Sequence, residues 1–435
     1  MENQKPKAIV VGAGIAGLQM ASLLQDKGLD VVVLEAKDYI GGRIKEHSSF
    51  ADFPIELGAE EVHGETSLHA GIAKKAGAEL VDMSELSYFV EYQGKIYEEE
   101  ELEKRNEWFS RVLQLDWEEL VAYDQDKEDI KLSDYVKNNN FPQDLSHALH
   151  GIFASEWATD METLSVKGIQ KWNVEWDFGH KNFILKNMSN SQILKSEYGR
   201  VFDKVKTSTP VASITYESSQ QVKVETKSGE SYSADLVVIA VPLTQLKKGQ
   251  IKFTPALPQV KQEAFQKVNM DPAMKVFLKF SKQFWNDYLG TLITAEIPRL
   301  TWASSAGGKS QKSHVLTGLV TGKVAAHLSS LPQKEAAMLL VQDLKRCYGS
   351  IVEESFEGWL IQDWTKEEYI EGGYTYPHIN EKLSSTRKII AQSVEGKLFF
   401  VGEHTSSKFS LLSGAMESSF IAFEEICKRF HLKAN

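Results

Sequence analysis

Three glycines and one glutamate near the amino terminus have the spacing of a nucleotide-phosphate site. Gly12, Gly14 and Gly17 form a G-x-G-x-x-G pattern, and Glu35 follows the last glycine by 18 residues. The first glycine permits a tight turn, the second lets the backbone approach a pyrophosphate, and the third lets a helix pack close to a strand. A carboxylate at such a distance binds ribose hydroxyls. The pattern predicts dinucleotide binding.

The elements around this pattern are those that the chemistry requires. Residues 8–11 form a short apolar, β-branched run, residues 15–27 are amphipathic, and residues 31–34 form a second apolar run ending at Glu35. The glycines therefore lie on a turn from strand to helix. The amino terminus of that helix presents unpaired N–H groups and a positive dipole end to phosphate. These elements predict an α/β fold with a Rossmann-like opening.

The residues beyond Glu35 bear on which dinucleotide is bound. Gly41, Gly42 and Arg43 come directly after the second βα unit. They place a flexible turn and a fixed guanidinium where both can meet the pyrophosphate. An ordinary NAD-binding unit has no need for this second turn, so the sequence favours FAD.

Composition narrows the class of protein. The chain has 435 residues, 42% hydrophobic and 25% charged, which suffices for a large core and two or three domains. Its net charge of −11 disfavours nucleic acid and mildly favours cationic partners. The apolar run 8–24 contains three glycines and no A-x-A cleavage pattern follows it, so we interpret it as part of the fold rather than as a secretory signal. No other run approaches the ~20 residues of a membrane span, and a protein without a membrane segment is expected.

The cysteines and histidines predict neither disulfides nor a metal. Cys347 and Cys427 each stand in a predicted helix and cannot form a disulfide framework or a Cys-rich zinc site. A reducing, cytoplasmic location is expected. His147 and His150 have helical spacing but no third ligand in a recognisable pattern nearby, so no metal is expected.

Six segments together resemble the flavin amine oxidase family, which includes monoamine, polyamine and L-amino-acid oxidases and histone demethylases. They are VVGAGIAGL at 10–18, LEA at 34–36, GGRI at 41–44, ELGAEEVHG at 56–64, FFVGEHT at 399–405 and SGAMES at 413–418. Because the segments lie at both ends of the chain, the resemblance covers essentially all of it.

The resemblance implies a discontinuous FAD-binding domain. It consists of residues 1–80, 197–251 and 388–435, with predicted strands at 208–214, 236–242 and 397–401 and a helix at 416–430. The intervals 81–196, mainly helical, and 252–387, of mixed strands and helices, are predicted to form an α+β substrate-binding domain.

The family's cofactor contacts carry over to positions that match its motifs. Gly402 and Glu403, after the predicted strand at 397–401, would contact the pyrophosphate and ribityl region. Val211 would contact adenine through its backbone, and the alternative is that it is a core valine. The amino terminus of the helix predicted at 416–430 would stabilise negative charge on reduced flavin. The implied contacts are Gly12, Gly14, Ala16, Gly17, Glu35, Ala36, Gly42, Arg43, Gly58, Ala59, Glu60, Val211, Trp364, Gly402, Glu403, Gly414, Ala415 and Met416. Monoamine-class enzymes attach FAD to a cysteine near the position of Tyr374; no cysteine lies between Cys347 and Cys427, so noncovalent FAD is expected.

The resemblance also implies catalytic residues, although flavin chemistry needs no acid–base triad. Lys275 resembles the lysine that reaches flavin N5 through a water. His63 matches a position where polyamine oxidases carry histidine or glutamate beside the substrate channel. Trp364 and Tyr374 resemble aromatic residues that line the flavin site and favour amines. For Lys275, His63 and Tyr374 a structural role is the alternative.

Some positions limit the transfer of a substrate preference. Glu61 replaces a common tryptophan, and Leu411 replaces an aromatic residue in many relatives. Glu156 loosely resembles a channel glutamate of polyamine oxidases. Acidic residues at 98–101 and 124–129 could guide a polycation, but we interpret them as a solvated helix face.

The predicted function is FAD-dependent oxidation of a C–N bond of a small amine, with polyamines among the candidates. Hydride passes to flavin N5, the imine hydrolyses, and O2 is the expected acceptor, giving H2O2. Three alternatives stay open. An L-amino-acid oxidase would need an arginine to clamp a carboxylate, a C–C desaturase would not need Lys275 or the Tyr374 wall, and an inactive flavin-binding protein would fit the changes at Glu61 and Leu411.

Overall fold

The fold is described from a computed structural model. It describes residues 5–124, 126–217, 221–297, 300–310 and 312–432. The outermost residues of the predicted FAD-binding domain, 1–4 and 433–435, lie outside these ranges.

Five parallel strands form a sheet, called here the parallel sheet. In spatial order they are Val205–Lys206, Asp30–Leu34, Lys7–Val11, Leu236–Ile239 and Leu398–Phe400. The central strand pairs Ala8 with Val31 on one side and with Leu236 on the other. These strands are mostly apolar because both faces of the sheet are covered, one by helices and the other by a four-stranded sheet and further helices. The strands predicted at 8–11, 31–34, 236–242 and 397–401 are confirmed, as is the α/β class.

Two long helices cover one face of the parallel sheet. Ile15–Asp26 follows the first strand, and Leu412–Arg429 packs against it from the other end of the chain. Ser419 donates a hydrogen bond to the carbonyl of Ala16 at 2.9 Å, which fixes the two helices together. The helix predicted at 416–430 is therefore present and begins four residues earlier than expected.

The strand predicted at 208–214 is present as Val211–Thr215. Val211–Thr215 belongs to a separate four-stranded sheet with Val222–Thr226, Ser231–Ala234 and Lys252–Thr254. Lys252–Thr254 pairs in parallel with Val211–Thr215, so the predicted boundary after residue 251 cuts through this sheet. This four-stranded sheet and the helices Gln259–Lys267 and Leu383–Ala391 cover the face of the parallel sheet opposite the helix Ile15–Asp26. Short alternating strands carry no signal of which sheet they join, so the sequence did not predict this sheet.

A seven-stranded sheet forms the second half of the molecule. Its spatial order is Phe356–Asp363, Ala273–Phe280, His314–Thr321, Leu300–Ala303, Leu289–Ile293, Ser87–Tyr92 and Lys95–Glu98. Helices Gly322–Ser330, Gln333–Tyr348 and Ile351–Ser355 pack on it. Its long interior strand Ala273–Phe280 pairs with a neighbour along each edge, and both of its faces pack into the core.

The interval 81–196 is less helical than predicted. Ser87–Tyr92 and Lys95–Glu98 join the seven-stranded sheet, and Asn182–Leu185 pairs with Val62–His63 and Leu80–Asp82. The aromatic and β-branched residues of SYFVEY favour a strand once a partner is available. The helical elements are Glu99–Arg105, Glu107–Gln114, Leu115–Leu120, Leu132–Asn138, Gln143–Leu145, Ser146–Leu149, His150–Ser155, Val166–Val174 and Asn190–Tyr198.

Shorter elements complete the fold. They are strands Glu46–His47, Ile55–Glu56, Asn269–Met270 and Thr375–Tyr376, helices Leu68–Ala76 and Leu243–Lys247, and single turns Met83–Glu85, Gly199–Lys204 and Glu403–Thr405. Within the described residues, no helix combines the length and the apolar character that a membrane span requires.

Candidate active site

A cavity of about 1160 Å³ lies between the carboxyl ends of the parallel strands and the seven-stranded sheet. One end is lined by the turns that follow the strands Lys7–Val11 and Asp30–Leu34, including Gly12 and Glu35. The other end is lined by Lys275 of the strand Ala273–Phe280 and by aromatic residues such as Tyr88 and Trp302. In open α/β sheets, ligands bind outside the carboxyl ends of the strands.

The glycine turn has the geometry that a phosphate requires. Gly12 has φ +106°, and a Cβ at Gly17 would lie 2.0 Å from the carbonyl oxygen of Gly12. Gly14 lines the cavity, and a Cβ added there would point into open space. The helix that begins at Ile15 has no side-chain cap and no acidic residue in its first turn. Its N–H groups and dipole are therefore available to an anionic ligand.

Glu35 is held at the end of its strand by backbone amides. Its two oxygens accept hydrogen bonds from Ala13 N at 2.6 Å and Lys37 N at 2.8 Å. Burial raises the pKa of this carboxyl, and these amide bonds oppose that shift. The arrangement leaves the outward lone pairs of the carboxylate for hydroxyl donors at the cavity wall.

Arg43 joins the second glycine turn to the end of the chain. Its Nη1 donates to Gly373 O and to Glu403 Oε1, both at 3.0 Å. Burial opposes ionisation of Glu403, but the charge of Arg43 and further donors outweigh it and lower the pKa of Glu403 to about 2. A fixed cation and a fixed anion, 360 residues apart in sequence, thus meet at the cavity wall.

Most residues expected to contact the cofactor line this cavity. They are Gly12, Gly14, Ala16, Glu35, Ala36, Gly42, Arg43, Gly58, Ala59, Glu60, Val211, Trp364, Gly402, Glu403 and Ala415. Three are not among its lining residues. Gly17 packs against the glycine turn, Gly414 lies so close to the carbonyl of Lys408 that a Cβ would be 1.8 Å from its oxygen, and Met416 is buried in the core. The carboxy-terminal helix meets the cavity through Leu411, Leu412 and Ala415 instead.

Lys275 stands in a buried cluster of charges. Its Nζ donates to Glu60 Oε2 at 2.8 Å and to Glu56 O at 3.2 Å, and lies 5.0 Å from the centroid of the Trp302 ring. Lys309 approaches the other Glu60 oxygen at 3.9 Å. Burial opposes ionisation of Glu60, yet the two lysines and a hydrogen bond from Trp302 outweigh it and lower the pKa of this carboxyl. Lys275 is therefore no exposed strand lysine: it is a buried cation at the cavity wall.

Aromatic side chains wall the cavity near Lys275. Trp364 Nε1 donates to Leu57 O at 2.9 Å, and the Tyr374 hydroxyl donates to Glu156 O at 2.5 Å. Burial, and then the charges of Glu156 and Glu61, raise the pKa of Tyr374, which stays neutral. Leu411 lines the cavity, as the aromatic residue expected in many relatives would.

His63 lies at a half-exposed position of the lining. Its Nδ1 is 3.2 Å from Asn182 Oδ1, and its Nε2 is 3.8 Å from Glu61 Oε2. All four residues predicted to be catalytic, Lys275, His63, Tyr374 and Trp364, thus line one cavity.

Several lining residues were not predicted. Tyr88 lines the cavity together with Glu61, Glu99 and Glu156. Burial, and then the charges of these three residues, raise its pKa. Trp172, Trp176 and Trp302 also line the cavity. Their positions depend on the packing of the helical region and the seven-stranded sheet, and no motif marks them. Glu99 is a half-buried member of an acidic run that we interpreted as a solvated face.

The histidine pair considered for a metal makes other contacts. His147 Nε2 lies 2.5 Å from the carbonyl oxygen of Glu91, and His150 faces Asp160. Across the described ranges, no group of three or more His, Cys, Asp or Glu side chains could hold a metal ion.

The fold and this cavity are those of a dinucleotide-dependent oxidoreductase. A family profile described as flavin containing amine oxidoreductase matches residues 15–427. The chain belongs to this family of flavin-containing amine oxidoreductases. It is an FAD-dependent amine oxidase, and the resemblance noted in its sequence is confirmed.

Individual relatives agree over nearly the full chain. Polyamine oxidase 3 of Oryza sativa subsp. japonica is 28% identical over 98% of this chain and 90% of its own length. Lysine-specific histone demethylase 2 of Homo sapiens is 26% identical over 95% of this chain, which spans 53% of that protein. Cyclohexylamine oxidase from Brevibacterium oxydans IH-35A superposes with a TM-score of 0.81 at 21% identity, covering 98% of this chain and 100% of that one. A putrescine oxidase structure bound to putrescine gives 0.78 at 18%, covering 98% and 99%. These two structures show the shared fold.

FAD fits the residues present. The uncapped helix and glycine turn suit its pyrophosphate, and Glu35 suits a ribose. Neither cysteine lines the cavity, which agrees with the expectation of noncovalent attachment.

Proposed function

We propose that the protein oxidises a polyamine at a carbon–nitrogen bond. When bound, FAD would supply the acceptor for a hydride equivalent, that is two electrons and one proton, from the carbon next to nitrogen. The resulting imine takes up water to give an aldehyde and an amine, and O2 would take up the two electrons and two protons, one of them released from the substrate nitrogen, to become H2O2. The wall around Lys275 would hold the reacting end of the substrate, and the rest of the cavity would hold its remaining length.

The observation that carries this proposal is the placement of carboxylates at the substrate end. Glu61 and Glu156 line the cavity together with the half-buried rings of Tyr374 and Tyr88, and the Tyr374 hydroxyl donates to the backbone carbonyl of Glu156 at 2.5 Å. Glu99 adds a third charge near Tyr88. Several carboxylates beside aromatic faces suit a chain with more than one ammonium group better than a singly charged amine.

The reacting nitrogen has to be neutral, because a protonated amine has no lone pair to assist removal of hydrogen from its neighbouring carbon. Lys275 supports this requirement, since a buried cation at that wall disfavours a second cation next to it. His63 and Glu61 lie within reach of one another at a half-exposed part of the lining and would accept the proton that the amine releases. The tryptophan and tyrosine walls would exclude water from the reacting carbon.

An amino-acid substrate is disfavoured by a specific feature. Among the described residues that line the cavity, the one arginine is Arg43, and it is engaged by Glu403 and Gly373. No second guanidinium in that lining is placed to clamp a substrate carboxylate.

Anaerobic mixing of the FAD-loaded protein with a substrate panel tests the proposal. We expect spermidine to bleach the flavin absorbance, and benzylamine and free amino acids to do so at least tenfold more slowly. Admission of air should restore the absorbance with one H2O2 per turnover. Glu156→Gln should raise KM for spermidine about tenfold, the order expected for one charge-assisted contact. Bleaching by amino acids alone would replace this proposal with an amino-acid oxidase, and no bleaching by any compound would favour an inactive flavin-binding protein.

A further inference from the structure

A buried chain of polar side chains leads from the cavity wall into the core. Glu403 lines the cavity, while Thr375 and Arg387 behind it are not among the lining residues. The Thr375 hydroxyl donates to Glu403 Oε2, and Arg387 Nη1 lies 2.9 Å from the same hydroxyl oxygen and donates to it. Thr375 and Arg387 are 0% and 1% exposed. The carboxylate is thus connected to a guanidinium that the cavity does not reach.

Arg387 is itself fixed from several sides. Its Nε and Nη2 donate to the two oxygens of Glu381 at 2.7 and 3.2 Å, a bidentate pair. Its guanidinium carbon lies 3.7 Å from the centroid of the Phe409 ring. A buried ion pair contributes little net stability compared with apolar packing of the same volume. Its rigid planar geometry, however, orients whatever it binds, which here is Thr375.

The hydroxyl of Thr375 decides the direction of the Glu403 carboxylate. Arg43 binds Oε1, whereas Oε2 receives the Thr375 hydroxyl and the backbone N–H of Ser410 at 3.3 Å. Without the hydroxyl, Oε2 would keep one long bond, and the carboxylate could turn toward Arg43. The backbone of Thr375 is also held, because Ser410 Oγ donates to its carbonyl at 2.5 Å. Tyr374, one residue before it, forms the cavity wall.

We propose that Thr375 and Arg387 are positioning residues for FAD, which act through Glu403 and Arg43 without touching the cofactor themselves. The inference rests on the proposed cofactor contact of Glu403. In this proposal the Arg387–Glu381 ion pair holds the Thr375 hydroxyl, and that hydroxyl orients the Glu403 carboxylate. Glu403 and Arg43 then set the charges that face the cofactor.

The affinity for FAD, measured without any amine, tests this inference. Deflavinated protein is titrated with FAD and the quenching of flavin fluorescence is recorded. We expect Thr375→Val to raise Kd about tenfold, which corresponds to about 1.4 kcal/mol. Thr375→Ser keeps the hydroxyl and should stay within about twofold of the wild type, because the energy lies in the charge-assisted hydrogen bond. Arg387→Lys keeps the charge but loses the planar fork, and should also raise Kd about tenfold.

Thr317→Val is the matched control. Thr317 is 0% exposed, lies in the seven-stranded sheet, shares a hydrogen bond with Ser304, and is not among the cavity-lining residues. It should lower the unfolding temperature as Thr375→Val does, but leave the Kd for FAD unchanged. Equal Kd values for Thr375→Val and wild type, or an equal rise in both valine variants, would overturn the inference. Because no amine is present, a failure here is distinguishable from a failure of the proposed substrate class.

Discussion

The buried pair of Lys275 and Glu60 gives a prediction whose size follows from the structure. Lys275→Met removes the cation 2.8 Å from Glu60 and leaves only Lys309 at 3.9 Å. With an effective dielectric constant of about 20, the lost attraction is about 6 kcal/mol and the remaining one about 4 kcal/mol. The variant can avoid part of this loss, because the abandoned carboxyl can take up a proton.

Protonation sets an upper limit to the cost. A glutamate with an ordinary pKa of 4.5 requires about 1.4 kcal/mol per pH unit to stay protonated above that value. Because the folded wild-type pKa of Glu60 lies below 4.5, the limit for Lys275→Met is somewhat above about 3.4 kcal/mol at pH 7 and somewhat above about 0.7 kcal/mol at pH 5. In the wild type the pKa of Glu60 is lowered, so its contribution is present above pH 4.5 and is lost as the pH falls through the folded-state pKa. In the variant, burial dominates and raises that pKa, so the penalty grows with pH.

Urea unfolding of the FAD-loaded protein at pH 5, 6, 7 and 8 measures this cost. Lys275→Met combined with Glu60→Gln should abolish its pH dependence. Lys279→Met, on the same strand, breaks only a partly exposed pair with Glu357 at 3.8 Å and should cost at most about 1 kcal/mol. A cost for Lys275→Met at pH 7 that is below that of Lys279→Met, or a cost that does not change with pH, would refute the view of Glu60 as an ionised partner.

Two further predictions concern buried positions. Burial, and then repulsion by Glu60, raise the pKa of Glu56 to about 8, so the folded chain keeps a proton that the unfolded chain releases near pH 4.5. This group should lower stability by up to about 1.4 kcal/mol per pH unit between pH 5 and 8, and Glu56→Gln should remove that slope in urea titrations; parallel slopes in variant and wild type would contradict it. Gly17→Ala should cost about 1–3 kcal/mol and weaken FAD binding, because its methyl group would meet the Gly12 carbonyl. Gly71→Ala, at an exposed helix position with no atom within 4 Å of the added methyl group, should instead stabilise by about 0.5–1 kcal/mol in the same assay.

Local signals in the sequence predict the nucleotide half of the fold well. The Gly12–Gly17 turn and the strand ending at Glu35 are contiguous, so spacing alone specifies their geometry. The placement of the strands at 211–215 and 252–254 could not be predicted, because a short strand pairs with whichever edge the whole fold presents. The strands at 87–98 were missed for the same reason.

The charged residues of the site likewise divide into those that the sequence predicts and those that only the fold brings together. Resemblance placed Lys275 at the cavity wall, but its partner Glu60 is 215 residues away and Lys309 stands on a loop that carries no motif. This cluster forms only when the strand Ala273–Phe280 lies against the segment 56–60, and the sequence does not show that contact. The network from Arg387 to Glu403 depends in the same way on two segments that meet in the folded core.

The position of the strand Leu236–Ile239 between the first and last strands of the chain has a consequence for synthesis in the cell. Its neighbours in the parallel sheet are Lys7–Val11, from the beginning of the chain, and Leu398–Phe400, from near its end. The nascent polypeptide therefore carries an unpaired apolar strand edge until almost all of it has left the ribosome. Exposed edges of this kind recruit other strands and promote aggregation. Chaperone dependence during translation, and precipitation of fragments that stop before residue 398, are the expected results.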